Sequence, residues 1–177
     1  EFKVKIAFLD KYNNPTPFTG KIELSCDIKG TAPKTIEFEN ARCGQAVMSF
    51  DEQGIWNIKA VYKGHEYSSN YSICTKEFED GRDCGDIHAK TGISDGLGTP
   101  DDYFWHAKHI SGDDFSAIAD HNHRECASVE TPWIRKMTDE QFHKIMDTVE
   151  RWDSPEEFVT IPAIEEALPG HGHRNVY

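Results

Sequence analysis

The sequence predicts a small antiparallel β domain followed by a parallel α/β domain. Three observations predict it. Apolar and polar residues alternate strictly through residues 1–75. The spacing then becomes helical after the polar stretch KEFEDGRDCG (76–85). Finally, polar clusters recur at the C-terminal ends of three strand-like segments in the second part.

In the first part, FKVKIAF places Phe2, Val4, Ile6 and Phe8 on one face, and KIELSCDI does the same with Ile22, Leu24, Cys26 and Ile28. The segments IEF (36–38), AVMSF (46–50), GIWNIKAVY (54–62, through Trp56, Ile58, Ala60 and Tyr62) and YSSNYSI (67–73) continue the series. NNPTP, KGTAPK, DEQG and YKGH supply the turns between them. Period two means one buried face per strand. Six short strands of this kind predict a β-sandwich of immunoglobulin-like type over residues 1–78. His65, in the turn KGHE, is the one histidine of this part, and nothing around it suggests catalysis.

Residues 79–177 read differently. GDIHA (85–89) is a short strand, and TPDDYFWHAKHIS (99–111) is a helix. Thr99 caps it, Pro100 sits at its first position, Asp101 and Asp102 lie in its positive first turn, and Gly112 ends it. DFSAIA (114–119) is a second buried strand running into DHNH (120–123). TDEQFHKIMDTVERW (138–152) is a second helix, with a capping box from Thr138 and Gln141 and an apolar face of Phe142, Ile145, Met146 and Val149. EFVTIPAIEE (157–166) is a third strand, and the chain ends in GHGHRNVY. Strand–helix–strand–helix–strand predicts parallel strands with right-handed crossovers. His88 with Lys90, Asp120 with His121, and Glu165 all fall at C-terminal strand ends, where parallel α/β barrels carry their active sites. His106, His109 and His143 lie on the helices and read as solvent-facing. His123 reads equally as a ligand or as a loop residue.

Composition narrows the function. The chain has 177 residues, 37% hydrophobic and 28% charged, and its net charge of −12 is lopsided: −2 over residues 1–80 and −10 over 81–177, where eight of the nine histidines lie. An acidic domain repels a phosphate backbone, which argues against a nucleic-acid partner. Carboxylates with histidines instead suit hard or borderline cations. No apolar run reaches the length of a membrane span. Five cysteines without a C-x-x-C exclude zinc-ribbon and thioredoxin-type readings. Cys26 is in phase with a buried face. Cys74 and Cys84 flank the domain junction and can pair in an exported protein, which, with the leading sandwich, favours a periplasmic or secreted location.

The motifs DIHAKTGISDG, AIADHNH, IPAIEE and GHRNVY, in this order, resemble those of the PHP (polymerase and histidinol phosphatase) superfamily. The usual form there is Asp-x-His-x-His with Ser-Asp-Gly, then Thr-Asp-His, then Gly-x-Glu, then a histidine. The nearest likeness is to a branch in which a sandwich domain precedes the barrel. The resemblance covers residues 83–177 in sequence and residues 1–80 only as architecture. It implies a distorted (β/α)7 barrel holding two or three zinc, manganese or iron ions and hydrolysing phosphate esters. Carried over by position, His88, Asp95, His121, Glu165 and His173 are the expected metal ligands, with Glu165 bridging. Asp86 and Asp120 are the expected partners that fix imidazole tautomers. His171 competes with His173 for the last ligand position, and Asp95 alone also suits an Asp-Gly turn. Such a site lowers the pKa of a bound water and clamps the attacking and leaving oxygens of an ester.

Two departures stand out. Lys90 occupies the second histidine position of the first motif, and an ammonium cannot ligate. It either displaces one ion of the cluster or is neutralised, for instance as a carboxylated bridge, a role the resemblance already gives to Glu165. Around Glu165, Ala163 and Glu166 replace the expected glycine and aromatic residue. In addition, some 95 residues supply three strands and the start of a fourth, whereas a closed barrel takes about 250 residues. The chain is therefore expected to be part of a longer barrel. The expected function is a metal-dependent phosphoesterase acting on a small phosphorylated or ester substrate, with Lys90 as a substrate contact. The alternative is a non-catalytic binding or structural module built on a degenerate half-barrel.

Overall fold

The structure, a computed structural model, describes residues 1–26, 30–32, 34–76, 83–122, 137–168 and 172–177. Ile28, His123 and His171, singled out above, and Cys126, one of the five cysteines, lie outside the described residues. The chain divides into two compact units, Glu1–Gly81 and Arg82–Tyr177.

The N-terminal unit contains β1 (Phe2–Ala7), β2 (Phe18–Cys26), β3 (Gly30–Thr31), β4 (Thr35–Ala41), β5 (Cys43–Phe50), β6 (Gly54–Trp56), β7 (Ile58–Tyr62), β8 (His65–Ser68) and β9 (Ser72–Cys74). All pairings are antiparallel, in sheets ordered β1-β5-β3, β4-β2-β7-β8 and β6-β9. The alternation read from the sequence decides the core. Ile22 and Leu24 of β2, Phe38 of β4, Ala46 and Met48 of β5 and Ile58 of β7 are buried together, with Val4 and Ile6 of β1 packed against them. Each of the buried Ile, Leu, Phe and Met side chains contributes about 1.5–3 kcal/mol by leaving water.

One expected strand, GIWNIKAVY, is two. Its halves pair with different partners: Ile55 faces Ile73 in the β6–β9 pair, whereas Ala60 lies between Leu24 of β2 and Tyr67 of β8. YSSNYSI divides in the same way into β8 and β9. Ser69 closes this corner, its Oγ accepting from the Ile58 amide (2.8 Å) and its own amide bonding Ile58 O (2.8 Å). The four described cysteines, Cys74 and Cys84 among them, are free thiols.

The C-terminal unit contains β10 (Gly85–Ala89), α1 (Pro100–His106), β11 (Phe115–Ile118), α2 (Asp139–Trp152), β12 (Val159–Pro162), β13 (Ile164–Leu168) and β14 (Gly172–Val176). Strands β10, β11 and β12 form a parallel sheet in chain order, and β13 and β14 form an antiparallel hairpin. Among the described residues no barrel closes. Both helices begin with capping boxes: Thr138 with Gln141, as the sequence predicts, and Thr99, the predicted cap, with Asp102. Helix α1 continues as a π-helical turn (Ala107–Ser111) that stops at Gly112, whose left-handed φ of 76° suits glycine.

Phe104, Ala107, Ile118, Ile145, Val149 and Phe158 form the core between helices and sheet. Arg151 and Trp152 tie α2 to α1 through Asp101 (2.7 and 2.9 Å). His106 and His109 are half-buried rather than solvent-facing, because both rings pack on Trp105, while His143 is exposed. A second apolar cluster contains only small residues, Ala117, Ala119 and Ala163, beside Ile161. No helix among the described residues is long and apolar enough to cross a membrane.

Candidate metal centre

The alanine cluster determines where the polar groups gather. Ala117 and Ala119 share a face of β11 and the residues after it, and period two continues that face to His121. Ala163 likewise leads to Glu165. An isolated parallel bridge joins His121 to Glu165, fixed by Glu165 N→Asp120 O and Asn122 N→Glu165 O, both 3.0 Å. Both residues are 3% exposed. The expected third strand thus breaks at Ala163, and Glu165 belongs to the β13–β14 hairpin rather than to β12.

Glu165 is the hub. Its Oε2 accepts from His88 Nε2 (2.9 Å) and is ion-paired to the Lys90 ammonium, which also donates to Ala119 O (2.6 Å). His121 Nδ1 lies 3.5 Å from the same oxygen. Oε1 accepts from His173 Nδ1 (2.7 Å), and the His121 and His173 rings meet edge to face. Asp95 Oδ2 is 3.6 Å from His121 Nε2. The structure therefore brings His88, Lys90, Asp95, His121, Glu165 and His173 together. His121, Glu165 and His173 form the tight set, with potential ligand atoms all within 4.8 Å of one another. Burial pushes the Glu165 carboxyl up, but hydrogen bonds from Lys90 and His88 and the Lys90 charge outweigh it and hold the carboxyl at about 2. Burial pushes the His121 imidazole below its ordinary value, against the pull of Glu165 and Asp95.

These residues fit a divalent ion. An ionised carboxylate and two imidazoles, one of them kept neutral by burial, are a donor set for borderline cations. His121 Nδ1 is buried without a hydrogen-bond partner among the described residues. Its 3.5 Å separation from Glu165 is poor for a hydrogen bond. It matches the roughly 3.3–3.5 Å between two ligands of one tetrahedral ion at zinc–ligand distances. Asn122 Oδ1 and Asn175 Oδ1 are also buried without partners; Asn122 follows His121, and Asn175 faces Glu165 across the hairpin.

The two aspartates expected to orient imidazoles act elsewhere. Asp120, fully buried, accepts from Thr91 N (2.8 Å), Thr91 Oγ1 (2.6 Å) and Ser94 Oγ (2.5 Å). It holds the turn that presents Asp95, and its contacts go to hydroxyls and an amide because that turn folds directly over it. Asp86 accepts from the His88 backbone amide (2.8 Å), so it shapes the end of β10 rather than the ring. Gly96 closes the turn: a Cβ there would lie 2.3 Å from Lys90 O. Sequence reasoning missed Thr91 and Ala119, which carry no chemical signature, and Tyr177, whose hydroxyl donates to Ile87 O (2.9 Å) and ties the end of the chain to β10. The tyrosine of GHRNVY was available as a signal for the last of these.

A cavity of about 470 Å3 lies in the N-terminal unit. Val4, Ile6, Phe8, Phe18 and Tyr62 help to line it, and no histidine or carboxylate does. Comparison with known proteins finds no matching family model, no matching curated protein and no matching solved structure.

Proposed function

We propose that the protein is a metal-dependent hydrolase, a phosphoesterase, whose centre holds zinc, manganese or iron through His121, Glu165 and His173, with His88 and Asp95 beside them. In this reading residues 79–177 are the first part of a PHP-like barrel and residues 1–78 an immunoglobulin-like sandwich. The observation that carries it is the buried, unpartnered His121 Nδ1 opposite an ionised Glu165. An ion bound there supplies Lewis acidity toward water and a phosphate ester. The chain's own residues do the rest. Burial keeps the His121 lone pair free, Asp120 holds the Asp95 turn in place, and the Lys90 ammonium offers a point charge to a substrate oxyanion.

Equilibrium dialysis of the protein against Zn2+, Mn2+ or Fe2+, followed by elemental analysis, tests the centre, and turnover of an aryl phosphate tests the activity. Uptake abolished by Glu165→Gln and ion-dependent turnover are expected. Equal uptake by wild type and Glu165→Gln, or no turnover with any ion, overturns the proposal.

One observation favours a second reading, a non-catalytic module: Lys90 and His88 already close on Glu165, so the carboxylate is satisfied by protein groups alone. Absence of uptake with unchanged folding is the result that favours it.

A further inference from the structure

We infer that Lys90 is a resident cation of this centre, its ammonium standing where a second ion would otherwise sit, so that the centre takes a single divalent ion. The inference rests on reading His121, Glu165 and His173 as a metal site.

Three observations carry it. First, the Lys90 side chain is only 18% exposed, and its ammonium is held from two elements, by Glu165 on β13 and by Ala119 O just beyond β11. A side chain anchored by an ionic and a backbone acceptor is part of the centre rather than a passing surface charge. Second, the Glu165 carboxylate is divided between two sides. Its Oε1 belongs to His173, while its Oε2 meets the ammonium and His88 and lies 3.5 Å from His121 Nδ1. An ion held by His121 and His173 takes the side of the carboxylate that those rings approach, and the ammonium already fills the side that His88 approaches. Third, the charges do not allow more. The carboxylates around the imidazoles are Glu165 and Asp95. Two negative charges offset much of one divalent ion plus an ammonium. A second divalent ion, held by His88 and Glu165 Oε2, would sit directly beside the ammonium and be repelled by it. His88 is therefore within reach of Glu165 but receives no ion of its own while Lys90 is present.

The test is ion stoichiometry, measured by calorimetric titration with Zn2+ or Mn2+ and by elemental analysis, on wild type, Lys90→His, Lys90→Met and Lys90→Arg, each checked by circular dichroism. One ion per chain is expected in wild type and Lys90→Arg, and two in Lys90→His. Lys90→Met, an uncharged side chain of similar reach, is expected to bind its ion at least tenfold more tightly. Two ions in wild type, or one ion in a folded Lys90→His, overturns the assignment of Lys90 and leaves the metal reading standing. Unchanged or weaker affinity in Lys90→Met does the same. No ion in any of the four proteins overturns the metal reading, and the assignment of Lys90 falls with it.

Discussion

Replacing Asp120 separates its role in the turn from any role toward an imidazole. Its carboxylate satisfies three buried or half-buried donors: the Thr91 amide, the Thr91 hydroxyl and the Ser94 hydroxyl. Asp120→Ala leaves both Thr91 donors without an acceptor and Ser94 Oγ with only Asp95 Oδ1 at 3.1 Å, at about 1–3 kcal/mol for each donor left unmet. Water entering the vacated space repairs some of this, so the net cost is about 3–5 kcal/mol, a large part of a domain's stability. Asp120→Asn keeps one oxygen for the Thr91 amide and Ser94. Its amide nitrogen faces Thr91 Oγ1, which can rotate to accept, and the loss of charge assistance leaves a cost of about 1–2 kcal/mol. Because the chain has two units, one global unfolding free energy is not well defined. Urea unfolding followed by near-ultraviolet circular dichroism is therefore paired with native-state amide exchange at Thr91 and Gly96, whose amides bond Asp120 Oδ1 and Thr91 O. The reasoning is refuted if Asp120→Ala stays within about 1 kcal/mol of wild type, or if Asp120→Asn costs as much as Asp120→Ala.

Other substitutions probe separate parts of the centre. Glu165 is held at about 2, below its ordinary 4.5, so its contribution is present above about pH 4.5 and is lost as pH falls through about 2. With a chelator present, wild type should lose about 2 kcal/mol of this contribution between about pH 6 and about pH 3, a component missing from Glu165→Gln when urea midpoints are compared at those two values. In Gly96→Ala the added Cβ would lie 2.3 Å from Lys90 O, so the turn must shift. A cost of about 1–3 kcal/mol by thermal unfolding is expected, with faster exchange of the Gly96 amide. Asp101 feels burial raising its carboxyl, but hydrogen bonds from Arg151 and Trp152 and the Arg151 charge hold it below its ordinary value of 3.8. Its contribution is thus complete above about pH 4 and fades below it. Because the Arg151–Asp101 pair is about half exposed, Asp101→Asn should cost less than about 1 kcal/mol at neutral pH, read from the α2 amides.

The sequence by itself determined the local structure and the faces of the elements. Period two chose which residues of β1, β2, β5 and β7 enter the core, because alternate side chains of a strand point to opposite sides whatever its partner. Thr99 and Thr138 marked both helix starts, since a cap acts within four residues. The order of polar residues at strand ends marked His88, Lys90, His121 and Glu165, and the resemblance of the motifs added Asp95 and His173; the structure gathers these residues around the Glu165 carboxylate. What the tertiary structure decided was partnership. Nothing within GIWNIKAVY or EFVTIPAIEE shows that each must serve two sheets, so the breaks at Asn57 and Ala163 follow only from which strands lie alongside. The meeting of His88 with Glu165, 77 residues apart, depends on the register of β10 on β11 and on the bridge between His121 and Glu165. The same register folds the 91–95 turn onto Asp120, so that a carboxylate expected to orient an imidazole holds the turn instead. A residue's type and spacing limit the chemistry it can perform, but the group it performs it with is set by long-range packing, which no short window of sequence contains.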